Sequence, residues 1–373
     1  MTPLPRIDQR LALATGRRLV PAGPQVSNAE AEQVVASLRG HAVHAAEHVR
    51  RVSQLDAGHD SEVLVVDRVR WIEANVQSFS GLLADLGTGE PGRRGPARTT
   101  GGVTASVQMG VLLSYLATRV LGQFDPFHPG QAPGAGGRLL LVAPNVVRIE
   151  RDLGVVPEHF RLWVCLHEET HRVQFGHASW LPGHLRTLLG EVLAEADLSD
   201  SQLLARLARR ATTRETRQTG TPAPPSARGT GAAAGARSGR RTDPADTDGS
   251  LVTLLTTPEQ RQRIDQLTAV MSLLEGHADV MMDRVGPDVI PTVRTIRARF
   301  TRRRQRRGPD LLLRRLLGVE AKAAQYRDGA RFVRHVVRRG GLDVLNTVFD
   351  SAEALPTLLE IHQPRLWLER TAG

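Results

Sequence analysis

Apolar positions recur every three to four residues over much of this chain, a spacing that gathers them on one face of successive helices. Ser27 reads as the N-cap of a helix from Asn28 to about Val52, with Val34, Val35, Leu38, Val43 and Ala46 as its apolar positions. A short helical segment, Ile7 to Thr15, precedes it, and a second long one is expected from about Ser61 to Leu86. Thr104 to Gly122 returns to the same period. Pro157 stands where a helix starts, and Glu158 to Gly176 follows with Leu162, Val164, Cys165, Leu166 and Val173 apolar. Further helices are expected between Trp180 and Ala211, from Pro258 to about Val285, over Val293 to Arg307 and Val319 to Arg339, with short ones between Asn346 and Arg370. One run breaks the period: Arg138-Leu-Leu-Leu-Val-Ala-Pro144 is apolar throughout between breakers, and reads as a strand.

Breakers divide these segments. Gly87 to Gly102 and Phe124 to Gly137 are Gly/Pro-rich and read as loops. Residues 217–250 hold Gly, Ala, Thr, Ser, Pro and Arg with almost no large apolar side chain, too little to offset the entropy of ordering; a disordered insertion is expected there. The expected architecture is mostly α, an α+β domain in which a helical bundle carries a small sheet beside one central helix. Residues 1–216 and 251–373 are expected to be two parts of one domain, interrupted by 217–250.

Composition adds bounds. The 373 residues carry a formal net charge of +10, and Lys322 is the lone lysine, so the positive charge is Arg. Such a surface permits anionic partners, but an excess of solvated Arg is the plainer explanation. Cys165 is the single cysteine, so no intrachain disulfide can form, which fits a reducing compartment. No signal-peptide pattern is visible near the start and no apolar run reaches about 18 residues, so a cytoplasmic protein that does not span a membrane is expected.

The chemistry concentrates in His167-Glu-Glu-Thr-His171. Histidines four apart on a helix lie one above the other and can share one ion, and neutral imidazole is a good zinc ligand. Glu168 is rotated by about 100° from His167; it cannot ligate in the same geometry but can reach a water on the metal, the place of a general base. A catalytic zinc has three protein ligands and an open position. The third is sought in Leu273-Leu-Glu-Gly-His-Ala-Asp279, where a helix presenting Glu275 would complete a His-His-Glu set. Asp279, four residues on, shares the face of Glu275 and is expected to accept a hydrogen bond from the free ring nitrogen of His167 or His171, which would orient that ring. His277 lies about 200° from Glu275 and ranks behind it as a ligand.

H-E-x-x-H followed by E-x-x-x-D resembles the gluzincin branch of the zincins, which implies a zincin-like fold, Zn2+, a downstream Glu as third ligand and an Asp that orients the first His. The stretches Ala14-Thr-Gly-Arg-Arg-Leu-Val20, Phe160 to His171, Leu273 to Asp279 and Gln325-Tyr326 are similar to an actinobacterial family of zincin-like metallopeptidases often labelled as associated with deazaflavin-coenzyme biosynthesis. The resemblance covers most of the chain outside residues 217–250 and names no substrate. Two positions depart from the usual pattern: Glu169 and Arg172 are charged, so the helix face that carries them must be solvated or paired.

The expected function is zinc-dependent hydrolysis of a peptide bond in a peptide or protein substrate, with Glu168 as general base on a zinc-activated water. Tyr326 and His277 are the candidate donors to the developing oxyanion, and Tyr326 is placed in the catalytic set. A non-catalytic zincin-like binding or regulatory protein, or a hydrolase of non-peptide amides, is the first alternative. A basic nucleic-acid-associated protein is the second, disfavoured because Arg302-Arg-Arg-Gln-Arg-Arg307 has no interleaved aromatics and no nucleic-acid fold signature accompanies it. Cys165, on an apolar stretch, reads as a buried structural thiol. His177 and His184 flank Trp180 and are either cleft or plain loop residues.

Overall fold

The structure is a computed structural model that describes residues 7–57, 61–86, 100–128, 137–195, 258–305 and 319–371. Residues 217–250, where an insertion is expected, lie outside that set. The described elements are α1 (Gln9–Leu19), α2 (Asn28–Ser53), β1 (Glu62–Val66), α3 (Arg68–Leu86), α4 (Thr100–Leu116), β2 (Gly122–Asp125), β3 (Arg138–Val142), α5 (Ala143–Leu153), α6 (Pro157–His177) and α7 (Leu181–Glu195), followed by α8 (Pro258–Val285), α9 (Val293–Gln305), α10 (Val319–Asn346), α11 (Leu358–His362) and α12 (Pro364–Thr371). A 3-10 turn, Thr347–Phe349, follows α10. The fold is mostly α with one small sheet, as the hydrophobic pattern indicates.

Local chemistry accounts for the helix starts. Ser27 accepts from the Glu30 amide at the head of α2, Asp8 caps α1 by accepting from Leu11, and Pro157 opens α6 where an amide hydrogen would have no partner. The α2 face that is buried runs Val34, Leu38, Ala42, Ala45, Val49. Val43, expected among its apolar positions, points outward at 72% exposure, one residue off the face that runs through Ala42 and Ala45.

The sheet has the order β1-β3-β2, with β1 parallel and β2 antiparallel to β3. Every residue of β3 is buried, which is why it reads as an unbroken apolar run. The segment expected to be helical from Ser61 is a strand for its first five residues, and the helix starts only at Arg68. Gly122 and Phe124, read as a helix end and a loop start, belong to β2. A buried ion pair ties β2 to β3: Arg138 donates to Asp125 at 3.0 Å, its register partner, and Ser78 of α3 donates to the same carboxylate at 2.6 Å.

One core takes side chains from helices before residue 196 and after residue 257. Leu166 and Val173 of α6, Leu273 and Met281 of α8, and Phe332 and Val336 of α10 are all nearly fully buried in it. Helices α8 and α10 cross backbone to backbone: a Cβ on Gly276 would lie 2.2 Å from the Gly329 carbonyl carbon, and one on Gly329 would lie 1.9 Å from the Ser272 oxygen. No larger residue fits at that crossing, and Glu275 sits next to it. Among the described residues no helix is long and apolar enough to cross a membrane.

Candidate metal centre

Helix α6 runs through the core, flanked by α2, α8 and strand β2. Its apolar residues Phe160, Val164, Cys165, Leu166 and Val173 are buried, so its rotation is fixed by packing. That rotation turns His167 and His171 toward α8, where Glu275 faces them. The two Nε2 atoms are 3.3 Å apart, and Glu275 Oε2 lies 3.5 Å from that of His167 and 4.0 Å from that of His171. The rings meet edge to face, centroids 4.8 Å apart. Sequence spacing thus identified three residues that the fold does bring together.

These distances can be tested against zinc. Bonds of about 2.0–2.1 Å at tetrahedral angles put two ligand atoms about 3.3–3.4 Å apart. The observed 3.3 and 3.5 Å match this, and 4.0 Å closes with a small side-chain adjustment. The donor chemistry also fits. Glu275 and Glu168 bring two carboxylates to the site, and among the described residues no arginine pairs with either. His167, His171 and Glu275 are therefore a group suited to one zinc ion, with no fourth protein ligand among the described residues.

Glu168 is 6% exposed, and its carboxyl is held well above the usual carboxylate range, first by desolvation and then by the charge of Glu275. Strand β2 touches it closely: a Cβ on Gly122 would lie 2.4 Å from Glu168 Cγ and 2.8 Å from Cδ. Glycine at 122 makes the room in which the Glu168 side chain lies. Sequence spacing does not reveal this contact, because it spans two elements, β2 and α6.

Glu169 and Arg172 settle the charged back of α6. Both are buried, and Arg172 Nε donates to Glu169 Oε1 and Oε2 at 2.9 and 2.8 Å. The departure from the usual pattern is an internal ion pair rather than a solvated face. It stands off the metal-facing side and does not compete with the ligands.

Asp279 does not orient a site histidine, contrary to expectation. Its carboxylate accepts from Arg297 of α9 at 2.9 Å and from Arg334 of α10 at 3.0 Å, and Asp283 joins the same network. Four residues of helix turn a side chain by about 40°, and here that angle directs Asp279 away to the arginines. The place beside His171 belongs to Gln174, whose Oε1 is 2.9 Å from His171 Nδ1. Gln174 is fully buried and went unnoticed in the sequence, although its i+3 spacing from His171 was a readable signal.

The other candidates are placed as follows. His277 is fully buried and outside the ligand group; its Nδ1 meets Gln174 Nε2 at 2.9 Å and its ring packs edge-on against Phe349. Burial, then the neighbouring His171, push its pKa down to about 3. The side chain of Tyr326, in α10, lies outside the described residues. Cys165 is buried and its thiol is pushed up by desolvation, as an inert packing group should be. His177 contacts Phe349 and His184 contacts Trp180 through ring edges, and neither belongs to the ligand group. Within the basic helix α9, Arg297 pairs with Asp279, Arg299 donates to the Leu153 and Gly154 carbonyls, and Arg303 pairs with Asp152. Those arginines fasten α9 to the protein.

The profile of the family described as zincin-like metallopeptidase matches residues 7–368. A crystal structure from Chloroflexus aurantiacus, of a "putative hydrolase with a novel fold", is similar at 28% identity and a TM-score of 0.63, over 98% of this chain and 99% of that one. No curated protein matches. The chain belongs to the zincin-like metallopeptidase family.

Proposed function

From membership of the zincin-like metallopeptidases, we propose that this protein is a zinc-dependent hydrolase that cleaves peptide bonds, with His167, His171 and Glu275 holding the ion. The observation that carries the reading is the convergence of three ligand atoms at tetrahedral spacing beside a buried carboxyl that has no arginine partner among the described residues. When bound, zinc supplies a Lewis acid and lowers the pKa of water in the open position.

The chain's own residues supply the rest. Glu168 takes the proton of the attacking water on its carboxylate and passes it to the leaving amine. Its apolar seat and the charge of Glu275 raise its affinity for that proton, which suits a group that must both accept and donate. The missing side chain at Gly122 leaves the space that the Glu168 carboxyl occupies. Among the described strands β2 is an edge of the sheet and runs beside α6, so an extended peptide can pair with it and lie across the site. That edge favours a peptide over a compact small molecule. Tyr326 stays a candidate donor to the oxyanion on the strength of the sequence resemblance alone. The stretches Ala14 to Val20 and Gln325-Tyr326 support the narrower placement in an actinobacterial, deazaflavin-associated branch.

A peptide mixture of random sequence, incubated with the purified protein and read by mass spectrometry, tests this. New termini are expected to accumulate, to stop after chelation and to resume on adding zinc. Turnover that persists in the chelated protein would overturn the zinc assignment; zinc bound at one equivalent with no new termini would overturn the peptidase assignment.

A further inference from the structure

Gln174 sits at the junction of three groups whose hydrogen-bonding roles determine one another. Its Nε2 lies 2.9 Å from the Leu274 carbonyl, which can only accept. The amide nitrogen, not the oxygen, must therefore face Leu274, and this fixes which way the side-chain amide is turned. Its Oε1 then faces His171 Nδ1 at 2.9 Å, and an oxygen there can only accept. His171 must carry its ring proton on Nδ1 and present a bare Nε2 to His167 and Glu275. The second hydrogen on Gln174 Nε2 points to His277 Nδ1 at 2.9 Å, so His277 must accept there and carry its own proton on Nε2. Gln174 and His277 are both fully buried, so water does not compete for these bonds.

We propose that Gln174 is a positioning residue that sets the tautomer of His171 for metal binding, and that the Leu274 carbonyl and His277 hold the Gln174 amide in the required orientation. The proposal rests on the reading of His167, His171 and Glu275 as a zinc site. Leu274 is the residue before Glu275, so the same turn of α8 that presents the third ligand also aligns the group that prepares the second. A neutral amide does this work here in place of a carboxylate. It orients the ring without adding negative charge to a site that already holds Glu168 and Glu275, and it leaves the ion a stronger Lewis acid than a carboxylate-bonded imidazole would.

Two measurements on the full chain test this. The first is a two-bond 1H–15N correlation spectrum of the labelled, chelator-treated protein, with signals assigned by their loss in His171→Gln and His277→Asn. It should show His171 protonated on Nδ1 and His277 protonated on Nε2. The second is zinc affinity by competition with a chromophoric chelator. Gln174→Met, which keeps the volume and removes the bonds, should lose roughly 10–100-fold in affinity. It should also shift His171 toward the Nε2-protonated tautomer. A wild-type His171 protonated on Nε2, or wild-type zinc affinity in Gln174→Met, would overturn the proposal. If Gln174→Met fails to fold, the wild-type spectrum decides alone. The spectrum needs no zinc, so correct tautomers in a protein that binds no zinc would sink the metal reading and leave the orientation role standing.

Discussion

Glu168 and Glu169 are consecutive carboxylates on one helix, both almost fully buried, yet they are handled in opposite ways. Glu169 has Arg172 clasping both of its oxygens. Glu168 is desolvated and has the negative charge of Glu275 nearby, and its proton affinity rises. One residue of helix, about 100° of rotation, separates a charge neutralised within the protein from one that calls for a cation from outside it. A buried charge normally comes with its counter-charge. Among the described residues Glu168 has none, and beside converging imidazoles the proposed ion would supply it.

Substitution can test that contrast. The largest effect is expected on catalysis: Glu168→Gln should retain zinc and the fold but lower peptide cleavage by about 10²–10⁴-fold, the range for losing a general base. Glu169→Gln should reverse the pattern. It leaves Arg172 buried without its bidentate partner and should cost about 3–5 kcal/mol in denaturant unfolding, while zinc affinity in the folded fraction is unchanged. Equal effects of the two substitutions on turnover per folded molecule would end the distinction.

Acid should act next. His277 has a folded pKa of about 3 against 6.5 unfolded, so between those values the unfolded chain binds a proton that the folded one refuses. Stability from this source is intact above pH 6.5 and is lost as pH falls toward 3, by a few kcal/mol in all. Glu168 slopes the other way in the metal-free protein. Its folded pKa lies above the unfolded 4.5, so its contribution is present below 4.5 and is lost as pH rises through the folded value. Urea unfolding of the chelated protein across pH should show the acid loss shrink in His277→Asn and the high-pH loss shrink in Glu168→Gln.

Two smaller effects sharpen the geometry. Gly122→Ala puts a methyl group 2.4 Å from Glu168 Cγ, and overpacking of this kind costs about 1–3 kcal/mol. Because the displaced side chain is Glu168, kcat should fall more than zinc affinity does. Asp279→Asn breaks a network with Arg297 and Arg334 whose members are partly exposed, so a loss of under about 1 kcal/mol is expected, with zinc affinity unchanged. A tenfold fall in zinc affinity would return Asp279 to the role that its spacing suggested.

The sequence made legible what depends on one helix at a time. The i, i+4 spacing of His167 and His171 and the breakers around Arg138 to Val142 are local facts, and the structure follows them. What depended on two elements was hidden. Strand β1 merged with a helix because Asp67 alone separates Val66 from Arg68. Strand β2 is four residues long and is a strand through its pairing with β3. Asp279 shares a face with Glu275, but the arginines that claim it come from α9 and α10, so its direction is decided by how three helices pack. Gln174 and Gly122 escaped for the same reason: one acts across α6 and α8, the other across β2 and α6.

In the proposed site Glu275 completes a zinc centre begun by the two histidines. The most direct test is metal content and zinc affinity of the purified wild type beside Glu275→Ala and His171→Ala, with circular dichroism to confirm that each is folded. One zinc per chain is predicted for the wild type, with binding weakened at least about 100-fold in both variants, since each removes one of three protein ligands. Stoichiometric zinc at unchanged affinity in folded Glu275→Ala would show that Glu275 is not a ligand.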